Sequence, residues 1–99
     1  MTGPAQPAWR AVLDDQAAQI LLAMHKAGDV QLHDGVVLFL RSLALEVGAG
    51  LALGRRPAGT RLADGRYAVD VRSAPVLIYY VPDPVNRTIR ISDLIWLAT

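Results

Sequence analysis

From Arg66 to Leu97 the hydrophobic pattern is that of short strands. Arg66 to Arg72 alternates, with Tyr67, Val69 and Val71 on one side and Arg66, Ala68, Asp70 and Arg72 on the other. Successive strand side chains face opposite ways, so this predicts a half-buried strand with one wet face. After a break at Ser73-Ala74-Pro75, the run Val76 to Val81 is continuously apolar or aromatic, which predicts a central strand buried on both faces. Two prolines in the stretch Pro82 to Arg87 predict a turn with no regular ladder. Thr88 to Ser92 alternates again, Ile89 and Ile91 inward and Thr88, Arg90 and Ser92 outward. Leu94 to Leu97 either continues that strand through a bulge or forms a short terminal element. The connections are too short for parallel crossovers, so antiparallel hairpins are expected.

Before this block the period changes. Trp9, Val12, Leu13, Ala17, Ile20, Leu21 and Met24 recur at helical spacing. They predict a helix starting near Pro7 or Ala8 and stopping at Gly28. Asp14 and Asp15 fall in its first turns, where the helix dipole favours negative charge. A second helix is expected from Asp29 or Val30 to near Val47, with Asp29 or Asp34 as cap and Gly35 as a weak point inside it. Its stripe is Val36, Phe39, Leu40, Leu43 and Val47. Val37, Leu38, Ala44 and Leu45 leave the other side apolar too, which calls for a second covering surface: the first helix or a partner protein. The expected fold is a single α+β domain over 1–99. Residues 1–7 form a loose arm, 8–47 two helices, 48–64 an Arg/Gly connector, and 65–97 a small antiparallel sheet of three to four strands.

With 53% apolar residues the chain can build a core. No uninterrupted apolar run approaches about 18 residues, so no membrane span or membrane partner is expected. The first ten residues have no charged-then-apolar leader pattern. Zero cysteines exclude a disulfide framework and a thiolate zinc site. The cytoplasm is the expected compartment. The formal charge of +1 is unevenly placed: residues 1–50 carry net −2 and residues 51–99 net +3. Arg55, Arg56, Arg61, Arg66 and Arg72 are clustered in sequence. Such a cluster suits phosphate or an acidic protein segment, or is a solvated face.

No sequence motif for catalysis stands out. His25 and His33 are eight apart with Gly28 between them, which is not the spacing of a helical metal pair, and Asp29 with His33 adds little. The glycines at 48, 50 and 54 lack the Gly-Lys-Ser/Thr of a phosphate loop. Neither metal nor cofactor is expected. Tyr79 and Tyr80 must face opposite sides of their strand. An exposed tyrosine beside Arg72 and Arg90 could stack a base, although a packed aromatic explains the same pattern. Trp96 near the end of the chain is either an oligomer contact or a plug for the core.

The stretch Arg66-Tyr67-Ala68-Val69-Asp70-Val71-Arg72-Ser73, then Val76-Leu77-Ile78-Tyr79-Tyr80-Val81, then Arg90-Ile91-Ser92, resembles the central strands of the RelE/ParE superfamily of bacterial toxins. The resemblance spans about residues 9–97 and is concentrated in 65–92. It implies two helices on a curved antiparallel sheet, an antitoxin as partner, and gyrase or the ribosome as target. Members of this family open with an edge strand, a place held here by the proline-containing Met1 to Pro7, so that strand is expected to be shortened or missing. The RNases among them carry lysines on the strand that here holds Ala68 and Asp70, an arginine where this chain has Leu77, and a basic segment with a tyrosine after the last strand. RNA cleavage needs such cations and proton carriers. The resemblance therefore implies a non-nucleolytic, protein-binding toxin. Its partner-binding residues are expected among Arg55, Arg56, Arg61, Arg66, Arg72 and Trp96. The alternatives are a non-toxic interaction or regulatory domain and, further off, an mRNA endonuclease using a displaced set drawn from Arg61, Arg66, Arg72, Tyr79 and Arg90.

Overall fold

The computed structural model describes residues 8–72 and 74–97. Its elements are β1 (Arg10–Leu13), α1 (Asp15–Lys26), α2 (Val30–Ala52), β2 (Thr60–Arg61), β3 (Tyr67–Asp70), β4 (Val76–Asp83) and β5 (Thr88–Trp96). The strands form one mixed sheet in the order β1-β5-β4-β3-β2. The α+β class is as expected. The count of three to four strands is corrected to five, and the all-antiparallel sheet to a mixed one, because β1 lies parallel to β5 with Arg10 opposite Thr88 and Leu13 opposite Ile91. The proposed loose arm, 1–7, lies outside the described residues.

β1 is also the main correction to the helix reading. Trp9, Val12 and Leu13 were expected on the stripe of the first helix, yet the segment is extended and alternates in burial, with Val12 on the exposed side. Helix α1 starts only at Asp15, after Asp14 at the N-cap, and Asp15 occupies the first turn. Gly28, at φ +83, follows its end. The second helix starts as expected, with Asp29 as N-cap accepting from the Leu32 N–H at 3.3 Å. It ends five residues later than expected, at Ala52 rather than Val47, and takes in Gly48 and Gly50. Position 48 holds a glycine for a packing reason: a Cβ built there would overlap the Trp9 ring. The connector shrinks accordingly and begins at Leu53.

In the sheet, β3 pairs antiparallel with β4, Tyr67 opposite Tyr80 and Asp70 opposite Leu77. β4 pairs with β5 from Val76–Trp96 to Asp83–Thr88, with a register shift at Tyr79/Tyr80 that leaves Ser92 as the extra residue of a bulge. Of the two outcomes expected for Leu94 to Leu97, the bulged continuation is the one found, as far as Trp96. The expected turn from Pro82 is corrected: Pro82 and Asp83 remain in the ladder, opposite Ile89 and Thr88. β3 does not reach past Tyr80, so Pro82 sits where β4 is an edge and its missing N–H is tolerated. β4 is not buried on both faces. Val76, Ile78 and Tyr80 are buried, whereas Leu77, Tyr79 and Val81 are half-exposed.

Both helices lie on one face of the sheet. Ala17, Leu21 and Met24 of α1 and Val36, Leu40, Leu43, Ala44 and Val47 of α2 form one cluster with Val76, Ile78, Tyr80, Ile89, Ile91 and Leu94. The opposite, open face carries Val12, Arg90, Val81, Tyr79, Asp93, Leu77, Ala68 and Asp70. Thr88 also falls on this side by register but is buried rather than outward and wet. As one element, the 23-residue α2 is long and apolar enough to cross a membrane, with mean hydropathy 1.7 over its most apolar window, of which 33% is buried. Run-by-run reading misses this because Arg41 and Glu46 interrupt the apolar stretches.

One side chain finishes the sheet edge. Beyond Ile91, β5 has no β1 neighbour. The Gln16 amide takes that place: its Nε2 donates to the Leu94 carbonyl at 3.1 Å and its Oε1 accepts from the Leu94 N–H at 2.9 Å. A buried backbone pair is satisfied from the first turn of α1, 78 residues away in sequence.

Candidate functional site

The connector brings three of the expected arginines together. After the helix cap at Leu53, Gly54 adopts φ +72 and the chain reverses, Arg55 N–H donating to the Gly50 carbonyl at 2.8 Å. Two devices then press the loop against the sheet. The Tyr80 hydroxyl crosses from the core to donate to the Ala58 carbonyl at 2.5 Å. Gly59, at φ +97, approaches the Ala68 carbonyl so closely that a Cβ would collide with it. The Tyr67 ring stacks on Tyr80 with centroids 5.7 Å apart.

The result is a cleft of about 300 Å³ lined by Arg56, Pro57, Gly59, Arg61 and Tyr67. A smaller recess of about 200 Å³ adjoins it through Arg56 and also takes in Arg55, Glu46, Leu53 and Ala58. Arg55, Arg56 and Arg61 are exposed, and none has an ion-pair partner among the described residues. Burial raises the Tyr80 phenol far above its usual range, with the charge of a deprotonated Tyr67 and that of Glu46 adding to the effect. The clamp on Ala58 is therefore a neutral O–H donor throughout the physiological range.

The other expected residues lie elsewhere. Arg66 belongs to the open face, where its Nε meets Asp64 at 2.7 Å, its Nη1 meets Asp93 at 2.6 Å and its guanidinium lies 4.9 Å above the Tyr79 ring. The Arg66 backbone N–H, then its side chain, lower the Asp64 pKa, and the same hydrogen bond keeps Arg66 charged. Arg72 lies past the other end of β3, in a recess of about 340 Å³ beside Asp29, Gln31 and Gly35 at the start of α2. Arg90 is on the open face, 3.3 Å from Asp14. Tyr79 and Arg90 thus share a face, but the cation on the tyrosine ring is Arg66. Trp96 is half-buried against the core, opposite Val76.

Proximity in sequence therefore misleads here. Five arginines divide among the connector cleft, the open face and the start of α2. Gln16 was missed because nothing in a glutamine at that position announces a strand-like role. The histidines, distant in sequence, meet edge to face at 5.3 Å across the turn between the helices, and His33 Nδ1 lies 3.0 Å from Asp34. Among the described residues no group of three His, Cys, Asp or Glu side chains is placed to hold a metal ion. No protein-family model, curated protein or solved structure matches the chain.

Proposed function

We propose that this chain is a non-nucleolytic, toxin-like protein of the RelE/ParE type that acts in the cytoplasm by binding another protein. The observation that carries the reading is the composition of the open face. Ala68, Asp70 and Leu77, the positions at which the resemblance places the RNase cations, lie together there on adjacent strands. An alanine, an acid and a leucine supply none of the positive charge that stabilises a phosphate in its transition state. Asp64 and Asp93 add further negative charge around Arg66. The resemblance itself gains support from β1: an edge strand before the first helix is what members of that superfamily have.

The binding surface of this reading is the connector cleft. Arg55, Arg56 and Arg61 are exposed guanidiniums beside a loop held by Tyr80, which suits the carboxylates of an antitoxin or of another acidic protein segment. Arg66, Arg72 and Trp96 are not part of that surface. Neither cofactor nor metal enters the mechanism.

The test is induced expression in a bacterial host, scoring growth, DNA supercoiling and transcript integrity together. The expected result is growth arrest with altered supercoiling and intact transcripts; charge reversal at Arg56 and Arg61 relieves the arrest where the cleft meets the target and leaves it in place where the cleft meets the antitoxin. Cut transcripts would move the reading to an endonuclease. Normal growth at good soluble yield would overturn toxicity and leave a non-toxic interaction domain on this fold.

A further inference from the structure

The outer face of α2 carries a second pattern that the core does not use. At about 100° per residue, Leu38, Leu45 and Ala52 fall on one line seven residues apart. Gly35, Ser42 and Ala49 form the neighbouring line at the same interval. All six are exposed, Leu38 at 62% and Leu45 at 54%. Over Leu38 and Leu45 the helix thus alternates large apolar residues with small ones along a heptad seam, leucine at d and glycine, serine or alanine at a, with Ala52 closing the d line. Small a residues let a second helix approach closely, and a Cβ at Gly35 would meet open space.

The flanks add a register. Arg41 lies on the g side of the seam and Glu46 on the e side, five residues further on. In a parallel helix pair, a g residue reaches the e residue five places along the partner. In an antiparallel pair like flanks meet, and these two charges stay apart. Neither Arg41 nor Glu46 has an ion-pair partner among the described residues.

We propose that this face binds the same face of a second copy, the two α2 helices lying parallel about a two-fold axis. Leu38 and Leu45 pack across the seam over Gly35, Ser42 and Ala49 of the other copy. Arg41 of each copy pairs with Glu46 of the other, twice by symmetry. The seam is only a few layers long, so association is concentration-dependent. The proposal stands independently of toxicity.

Sedimentation equilibrium over a wide concentration range tests it. The expected result is a mass rising from 10.7 kDa toward twice that value. Leu38→Glu and Leu45→Glu, both on an exposed face, should each weaken association about tenfold or more while leaving circular dichroism and the melting of dilute, monomeric samples unchanged. Arg41→Glu should weaken it too, and adding Glu46→Arg should restore it. The natural chain has no cysteine, so Ser42→Cys gives a clean crosslinking probe. Parallel helices bring the two Ser42 positions together, and mild oxidation should yield a disulfide dimer. Leu22→Cys, exposed on α1, should not. A chain monomeric at every concentration overturns the proposal, as does crosslinking of Leu22→Cys as readily as Ser42→Cys. A monomer that co-sediments with phosphatidylcholine vesicles overturns it in favour of lipid.

Discussion

The two faces of the sheet are made by the same strands and differ only in which alternate residues they present. On the helix side Val76, Ile78, Tyr80, Ile89, Ile91 and Leu94 are sealed under α1 and α2. On the open side Leu77, Tyr79 and Val81 are half-exposed, Arg66 is tied to Asp64 and Asp93, and Arg90 is tied to Asp14. One face is held by close packing and the other by charged contacts that water weakens. Stability should therefore reside on the first, while the second is free to change in sequence.

The largest effect that separates them is truncation of a core side chain. Ile78→Ala empties space at a fully buried position flanked by Val69 and Leu94, and should cost about 3–4 kcal/mol. For a domain of this size that is a large share of about 5–15 kcal/mol of total stability. Leu77→Ala, one residue away on the open face, should cost about 1 kcal/mol or less. Equal losses in urea denaturation would mean that the open face is covered in solution.

Next in size is the edge on which the helix side depends. Gln16→Ala leaves both polar groups of the buried Leu94 backbone without partners and should cost about 2 kcal/mol. Gln16→Glu is the sharper test. A carboxylate accepts from the Leu94 N–H but cannot donate to its carbonyl, whereas the protonated acid does both. The native state then favours the acid, so its folded pKa is raised. The variant should regain stability as pH falls through that pKa and lose it as pH rises, a trend opposite to that of the parent at low pH.

How far these features could be read in advance depends on the range of the forces behind them. Alternation from Tyr67 to Val71 and the Gly28 stop are local effects and were legible, while the Asp29 cap and the bulged continuation of β5 were each one of two readings left open. β1 was not, because Val12 and Leu13 fit helical spacing equally well. Their extended form comes from pairing with Arg90 and Ile91 at the far end of the chain. The extra turn of α2 past Val47 was hidden because two glycines argue locally for an end, whereas the glycine at 48 instead makes room for the Trp9 ring. At the candidate site, the arginines were visible as residue types. Their division into three places follows the tertiary course of the chain: Arg55, Arg56 and Arg61 stay with the connector, Arg66 turns onto the open face toward Asp93, and Arg72 leaves β3 at its other end beside α2.

Smaller still is the link between the core and the connector cleft. Tyr80→Phe keeps the ring and its stack on Tyr67 but removes the hydrogen bond to Ala58, for a loss of about 1 kcal/mol. Burial raises the phenol pKa from its ordinary 10.0, so the folded state favours the neutral form. The sign follows: Tyr80 weakens the fold as pH rises above about 10, where the unfolded chain ionises and the native chain resists. The phenylalanine variant should show a flatter alkaline limb in pH-dependent melting. An unchanged limb would mean that the hydroxyl reaches solvent and does not clamp the loop.

The smallest effect belongs to the open face and appears only in acid. Hydrogen bonds from the Arg66 backbone and side chain lower the Asp64 pKa below 3.8, and those from the Asn86 side chain and backbone do the same for Asp83. A lowered folded pKa means that the contribution is complete above the unfolded value and is lost as pH falls through the folded one. Both carboxylates are solvent-exposed, so screening keeps each contribution small. Arg66→Gln should therefore leave the urea midpoint at pH 7 nearly unchanged and make the decline below about pH 4 shallower. The remaining slope should vanish largely with Asp83→Asn, since that residue ties the Pro84–Arg87 turn through Asn86 and shares no partner with Arg66. If Arg66→Gln instead lowered stability at neutral pH as much as Gln16→Ala, the contact of Arg66 with Asp93 and Tyr79 would be a desolvated one. The open face would then be a second packed layer.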